Sequence, residues 1–402
     1  MLTPAGRLER YEAAFAEIDA PFAFVDLEAM WSNSSDMLRR SGGKPIRVAS
    51  KSLRCRPLMR TILDSDPGYR GLMTFTLKET LWLAGMGFEN LLLAYPSTDR
   101  QALGELSRLT GESPGGAPVV MIDSVEHLDL IESAVGAAGP PIRVCLDFDA
   151  SYWPAGERVK IGPRRTPVHT PEQARRLAEA IVARPSVVLA GMMSYEGHIA
   201  GQGDRIAGQR LKSLMVTRMQ RASYAELRER RAAAVEAVSR VAQLEFVNAG
   251  GTGDLELIAG EPAMTEATAG SGFYAPTLFD NYSSFRLEPA AIFAQPVSRR
   301  PGPGVVTALG GGYLASGPGG KDRMPTPYLP QGLKLNALEG TGEVQTPLHG
   351  RAADDLKVGG KVYFRHTKAG ELCERFNSLL LLQGTQVVDE VPTYRGEGQC
   401  FL

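Results

Sequence analysis

The chain has 402 residues, is 43% hydrophobic and carries a formal net charge of −1. This balance gives no electrostatic reason to expect a nucleic acid or an anionic membrane as partner. No apolar run approaches the roughly 18 residues of a spanning helix, and Met1-Leu-Thr-Pro-Ala-Gly-Arg7 lacks a signal peptide's charged-then-apolar order, so the cytoplasm is the expectation.

Apolar and charged residues at helical spacing predict a leading helix over Arg7–Ile18. Pro21 to Leu27 reads as a strand, and Glu28–Arg40 as an amphipathic helix ended by Ser41-Gly42-Gly43. Ile46-Arg-Val-Ala-Ser-Lys51 reads as a short buried strand closing on a lysine, with Pro57 in the first turns of the next helix. Strands and helices then alternate. Strands are predicted at Gly71–Thr76, Asn90–Tyr95, Val119–Asp123, Ile142–Asp149, Val187–Ser194, Glu245–Asn248 and Thr265–Ala269. Helices are predicted between them, the longest at Gln209–Gln243.

Counted from the lysine strand, there are eight near-continuous apolar strands with intervening helices. That pattern predicts an α/β fold, a closed (β/α)8 TIM-like barrel, with an open doubly wound sheet as the alternative. Past Asn281 the helix patterns stop, Gly and Pro become dense, and short β-like runs appear, which predicts a C-terminal mainly-β domain. The expected division is residues 1–27 as an N-terminal helix and strand, 28–284 as the barrel and 285–402 as the β domain. The strand in 1–27 is surplus to the barrel. Cys55, Cys145, Cys373 and Cys400 are scattered with no C-x-x-C pair, so neither a zinc knuckle nor a disulfide framework is expected.

In barrels of this kind function gathers at the C-terminal ends of the strands, and phosphate binds in the loops after strands seven and eight. Those loops are Gly250-Gly251-Thr252-Gly253 and Gly270-Ser271-Gly272. Glycines let backbone N–H groups approach an anion, and a hydroxyl adds a donor. Burial lowers a lysine's pKa and leaves a neutral amine that attacks aldehydes. A lysine after strand one lies beside loops seven and eight in a closed barrel. The pairing suits pyridoxal 5'-phosphate, with an aldehyde for the lysine and a phosphate for the glycine turns.

In these motifs and their order the sequence resembles the fold-type III pyridoxal-phosphate enzymes, the alanine racemase barrel, and within them the D-threonine aldolase and D-serine dehydratase branch. Pro21 to Leu27 with Asn33 resembles the family's opening element, and Lys51 stands at its cofactor lysine. Arg165-Thr-Pro-Val168 resembles "R-x-G-V", whose arginine meets the cofactor's phenolic oxygen; Arg164 is the alternative. Tyr195-Glu-Gly-His198 resembles "Y-x-G-H", and the turns at Gly250–Gly253 and Gly270–Ser271 resemble the two phosphate loops. By resemblance, a C-terminal β domain follows the barrel, the surplus strand joins that domain, and the enzyme is a homodimer. Tyr363, Phe364 and Phe376 offer apolar surface for the dimer contact.

The branch also binds a divalent metal through a histidine followed two residues on by Cys or Asp. Here His366 matches, but Lys368 holds the second place, where an ammonium repels a cation. Whether a metal binds is open, with His366 its ligand if one does and Cys373 or Glu371 as substitutes. Lys51, His198, His366 and Lys368 are the candidate catalytic residues. The implied activity is a lyase on a β-hydroxy amino acid of D configuration, by aldol cleavage or by dehydration and deamination. The rivals are an amino-acid racemase, whose second base would be Tyr313, Tyr328 or Tyr363, and a non-catalytic pyridoxal-phosphate carrier.

Overall fold

The computed structural model describes residues 3–136, 139–206 and 208–402. The chain packs as two compact units. A barrel unit comprises Met37–Lys51, Met59–Gly270 and Phe401–Leu402; a sheet unit comprises Met1–Asp36, Ser52–Leu58 and Ser271–Cys400. Among the described residues, no helix is long and apolar enough to cross a membrane.

Strand β1 (Phe22–Asp26) belongs to the sheet unit. The barrel strands are β2 (Ile46–Ala49), β3 (Tyr69–Thr74), β4 (Leu91–Leu93), β5 (Val119–Ile122), β6 (Ile142–Asp147), β8 (Val187–Ser194), β9 (Phe246–Ala249) and β10 (Glu266–Ala269); β7 (Pro154–Glu157) lies in the loop after β6. The eight pair in parallel and close in the order β10-β2-β3-β4-β5-β6-β8-β9. This is the barrel expected, and β7 is an addition to it. The strand predicted to run to Asp149 ends at Asp147.

Both faces of these strands are covered, which is why they read as apolar runs. Met73, Leu92, Val119, Met121, Cys145, Met193 and Phe246 share one interior cluster, with Tyr95 and Tyr195 packed against it. Gly191 leaves room there, since a Cβ on it would overlap the Phe246 ring. On the helix side, Thr76, Asp99, Ser124 and Thr170 each accept a hydrogen bond from a first-turn N–H. Each such cap contributes about 0.5–2 kcal/mol and fixes where a strand's loop gives way to its helix.

The seam between first and last strands carries a buried ion pair. Arg47 of β2 donates through Nε to Glu266 Oε1 at 2.7 Å and through Nη2 to Oε2 at 3.0 Å, and Asn248 Nδ2 donates to the same Oε1 at 2.8 Å. The geometry is bidentate, so the pair specifies orientation as well as contact.

In the sheet unit, β1 pairs antiparallel with β11 (Ala291–Gly302). The remaining strands are β12 (Val305–Leu309), β13 (Thr326–Leu329), β14 (Lys334–Leu335), β15 (Gln345–His349), β16 (Lys361–Arg365), β17 (Ser378–Gln383) and β18 (Gln386–Pro392). The sheet runs β14-β15-β12-β11-β1-β17-β18, with β16 paired to β11 and β13. The leading helix (Pro4–Ala14) places Tyr11 in a cluster with Phe24, Ile292, Tyr363 and Leu382, joined by Phe15 just past its end. Tyr363 and Phe364 are fully buried within this chain, so they are core and not the dimer surface expected of them. The two alternate across β16, and each face is covered: Tyr363 packs on Tyr11 and Phe24, and Phe364 stacks on Phe293 with ring centroids 5.3 Å apart.

Candidate active site

The lysine turn is built from β2 outward. The strand ends at Ala49, and Ser50–Ser52 form a single 3-10 turn. Ser50 is buried and donates its hydroxyl to the Met73 carbonyl of β3 at 3.1 Å, which pins the turn to the neighbouring strand. Lys51 itself is exposed, contrary to the buried amine that the strand's apolar character implies. The turn carries it past the end of the barrel core.

Lys51 Nζ donates to the Tyr95 hydroxyl at 3.0 Å, and the ammonium lies 5.6 Å from the Tyr95 ring centroid. Tyr95 sits just beyond β4. Burial pushes its phenol up, but the Lys51 charge and hydrogen bond, with the Arg165 charge, outweigh that and leave it below its ordinary value. A phenol so placed shares a proton with an amine more readily than a free one. Arg165 is exposed in the loop after β6, and its charge also acts on Asp147 and Tyr195.

Asp147 closes β6. Part of its surface reaches solvent, yet burial, with Asp123 and Asp149, pushes its carboxyl up to about 7. Ile122 of β5 stands opposite Leu146 in register, which brings the following Asp123 alongside Asp147. Asp149 is satisfied separately, by His169 Nδ1 at 2.9 Å and by Ser151. His169 stacks on Trp153, with ring centroids 3.6 Å apart. These residues tie down the loop that carries Arg165.

After β8, Tyr195 and His198 diverge. The Tyr195 ring lies against glycines, since a Cβ on Gly197 would be 2.9 Å from its Cε1 and one on Gly251 3.5 Å from its Cε2. Burial, then Asp254, Tyr95 and Glu196, push its phenol well up, so it stays protonated. His198 is buried, and its Nε2 meets the buried Ser223 hydroxyl. Burial holds its imidazole below the ordinary value and neutral. A Cβ on Gly162 would come within 3.0 Å of its Cγ and Cε1, so the loop backbone walls the ring in. Its Nδ1 is buried without a hydrogen-bond partner among the described residues.

The glycine turn after β9 also differs from the expected cradle. The Gly250 N–H donates to Glu196 Oε2 at 3.1 Å and the Gly251 N–H to Asp254 Oδ1 at 2.8 Å. Two of the amides assigned to phosphate are therefore engaged by carboxylates of the chain. Gly250 has φ +79°, and a Cβ there would be 2.6 Å from Ile258 Cγ1, so only glycine fits. Thr252 is buried, and its carbonyl accepts from Arg40 Nη2 at 2.8 Å. Thr252 and Gly253 continue the same turn, and Gly270 follows β10 in the barrel unit. In the sheet unit, the Ser271 hydroxyl lies 3.0 Å from that of Ser52. Tyr95, Asp147, Glu196 and Asp254 were not singled out from sequence. Asp254 alone offered a signal there, as an acid immediately after an anion-type turn.

These residues fit pyridoxal phosphate. The barrel unit offers an accessible amine partnered by a phenol, a cation nearby, and a turn where a Cβ on Gly251 would be 3.1 Å from Ala200 Cβ. A metal is a different matter. His366 is fully buried, its Nδ1 3.2 Å from the Ala291 carbonyl, and burial pushes it down to about 3. Lys368 donates to the Ser316 carbonyl and hydroxyl at 3.2 and 3.1 Å. Cys373 donates to the Leu53 carbonyl at 3.1 Å, and Glu371 Oε1 accepts from the Ser316 N–H at 2.8 Å. Among the described residues, no three or more His, Cys, Asp or Glu side chains group as a metal set. His366 Nε2 and Glu371 Oε2 are buried without a hydrogen-bond partner among the described residues, while Lys368 puts an ammonium at the family's second ligand place.

A family model, alanine racemase N-terminal domain, matches residues 25–275. A search of curated protein sequences returns no match. Among solved structures, D-threonine aldolase from Filomicrobium marinum is similar at TM-score 0.76 and 19% identity, over 95% of this chain and 96% of that one. D-threo-3-hydroxyaspartate dehydratase from Delftia sp. HT23 is similar at TM-score 0.73 and 17% identity, over 94% and 97%. Alanine racemase from Bacillus anthracis is similar at TM-score 0.58 and 14% identity, over 94% and 100%. At such identities these likenesses speak to the fold. The family match spans more than half of the sequence and coincides with the closed barrel that bears Lys51: the chain belongs to the alanine racemase N-terminal domain family, the fold-type III pyridoxal-phosphate enzymes.

Proposed function

We propose that this protein is a pyridoxal-phosphate-dependent lyase acting on a β-hydroxy amino acid of D configuration. The observation that carries the reading is the Lys51–Tyr95 pair beyond the C-terminal ends of β2 and β4, the end of a barrel where chemistry collects. The full-length likeness to a D-threonine aldolase and a D-threo-3-hydroxyaspartate dehydratase supports the choice of substrate class.

Lys51 would hold the cofactor through its amine, Thr252, Gly253 and Gly270 of the barrel unit would receive the phosphate, and Arg165 would face the phenolic oxygen. Pyridoxal phosphate, when bound, draws electrons from the substrate's Cα so that one of its bonds can break. The chain's own residues then set the outcome. Lys51 Nζ would be the base that moves a proton at Cα or at the β-hydroxyl. The Tyr95 hydroxyl aims that amine and exchanges a proton with it. Protonated Tyr195 supplies a flat wall and a donor. Asp147, half-buried among the same charges and acted on by Arg165, would temper the positive potential there.

The test is incubation of the holoenzyme with D-threonine and with D-serine. Glycine plus an aldehyde from D-threonine marks aldol cleavage; a keto acid plus ammonia marks dehydration. Inversion of Cα with neither product would overturn the lyase reading in favour of a racemase. No turnover of any amino acid, despite bound cofactor, would favour a carrier. Borohydride reduction followed by peptide mapping should place the pyridoxyl group on Lys51.

A further inference from the structure

The turn Gly250–Thr252 is gripped from behind at three consecutive residues. Glu196 takes the Gly250 N–H, Asp254 takes the Gly251 N–H, and Arg40 donates to the Thr252 carbonyl. Glu196, Asp254 and Arg40 are all at most 5% exposed. Glu196 is itself held by Arg231 Nη1 at 2.8 Å, and Arg231 Nε reaches Glu261 Oε2 at 3.1 Å. Arg231 lies on the one buried stripe of the long helix Arg210–Ser239. Among the described residues Asp254 has no salt bridge of its own, although the Arg231 charge acts on it. Its Oδ1 serves Gly251, and its Oδ2 is buried without a hydrogen-bond partner among the described residues.

We propose that Asp254 is a positioning residue of the phosphate turn, holding Gly251 from behind so that Thr252 and Gly253 present their donors to the phosphate. The inference rests on the pyridoxal-phosphate reading above. The carboxyl does this work as a neutral acid. An ionised carboxylate with one oxygen unpartnered, buried beside Glu196, would be costly. Burial first, then the Glu196 charge, push Asp254 well above the usual carboxylate range. Glu256 adds to that push, while Arg231 and the Gly251 N–H oppose it without prevailing. Protonation also removes a negative charge that would stand directly behind a bound dianion. The chain thus uses an acid here for its hydrogen-bond acceptor and its shape, with Glu196 offset by Arg231 and Asp254 offset by its own proton.

The experiment measures, at equilibrium, the affinities of apoprotein for pyridoxal phosphate and for pyridoxal, which lacks the phosphate. Their ratio reports on the phosphate turn alone, and pyridoxal affinity controls for folding. D254N keeps the acceptor, the size and the neutrality, and its ratio is expected within about threefold of the wild type. D254A frees Gly251, and its ratio is expected to fall by about tenfold or more, the loss typical of a misaimed hydrogen bond to a charged group. If D254A does not fold, D254S, whose hydroxyl is too short for the same reach, is read in its place. An unchanged ratio in the truncated variant overturns the inference, as does a D254N ratio that falls as far. If wild-type apoprotein takes up neither compound, the cofactor reading itself has failed, which is a different result.

Discussion

Lys51 and Tyr95 are separated by 44 positions, and nothing in either local sequence marks them as partners. Their hydrogen bond involves a charged donor, a kind worth about 1.5–3 kcal/mol. Tyr95→Phe is therefore expected to lower kcat by about 10- to 100-fold while leaving the borohydride label on Lys51, measured by steady-state assay and peptide mapping. Asp147 gives a prediction in stability. Its carboxyl titrates near 7 when folded, whereas an unfolded aspartate titrates near 4. Between about pH 4 and 7 the folded chain holds a proton that the unfolded chain has lost, so stability falls as pH rises through that window. The loss is fully present above pH 7. Asp147→Asn removes it and is expected to raise stability at about pH 8, by about 2 kcal/mol or less because solvent reaches the group, with little change near pH 4. Thermal melts at the two pH values check this. The lysine was legible because a strand-end lysine is conspicuous; the raised carboxyl was not, since it depends on a neighbouring strand's register.

At the scale of elements, the seam and the glycine turn show two ways a strand end is held. Arg47 and Glu266 close the barrel between β2 and β10 as a buried fork. Arg47→Met leaves Glu266 buried without its cation and is expected to destabilise by about 3–5 kcal/mol, whereas the double variant Arg47→Met/Glu266→Leu should recover much of that, both read by denaturant unfolding. The turn after β9 gives a second prediction. Gly251→Val would press a branched side chain toward Ala200 and the Tyr195 ring. It is expected to weaken pyridoxal-phosphate binding by at least tenfold while costing pyridoxal binding less, a comparison made by titrating apoprotein. Strand and helix positions were legible because both faces of each barrel strand are apolar and four helices start on Thr, Asp or Ser caps. The amide partners of Gly250 and Gly251 were not legible for a physical reason: glycine content marks a turn's permissiveness, but which way its amides point depends on acceptors elsewhere in the fold.

Across the whole molecule, the candidate metal ligands are spread over separate tasks, Cys373 on the Leu53 carbonyl and Glu371 on the Ser316 amide. We therefore expect turnover to survive exhaustive chelation, with loss of activity that manganese or zinc restores as the contrary result. Hydropathy and spacing by themselves determined that an eight-stranded barrel precedes a β-rich region, that Lys51 stands at the first barrel strand's end, and that glycine turns follow the last two. Those features are local: periodicity, caps and turn residues act within a few positions of themselves. The tertiary structure decided the rest. It set Lys51 in the open against Tyr95, turned Tyr363 and Phe364 inward, paired Arg47 with Glu266, and gave the amides of Gly250 and Gly251 to carboxylates. Burial and charge state are properties of contacts between distant positions, and a single sequence does not record which of its distant positions meet.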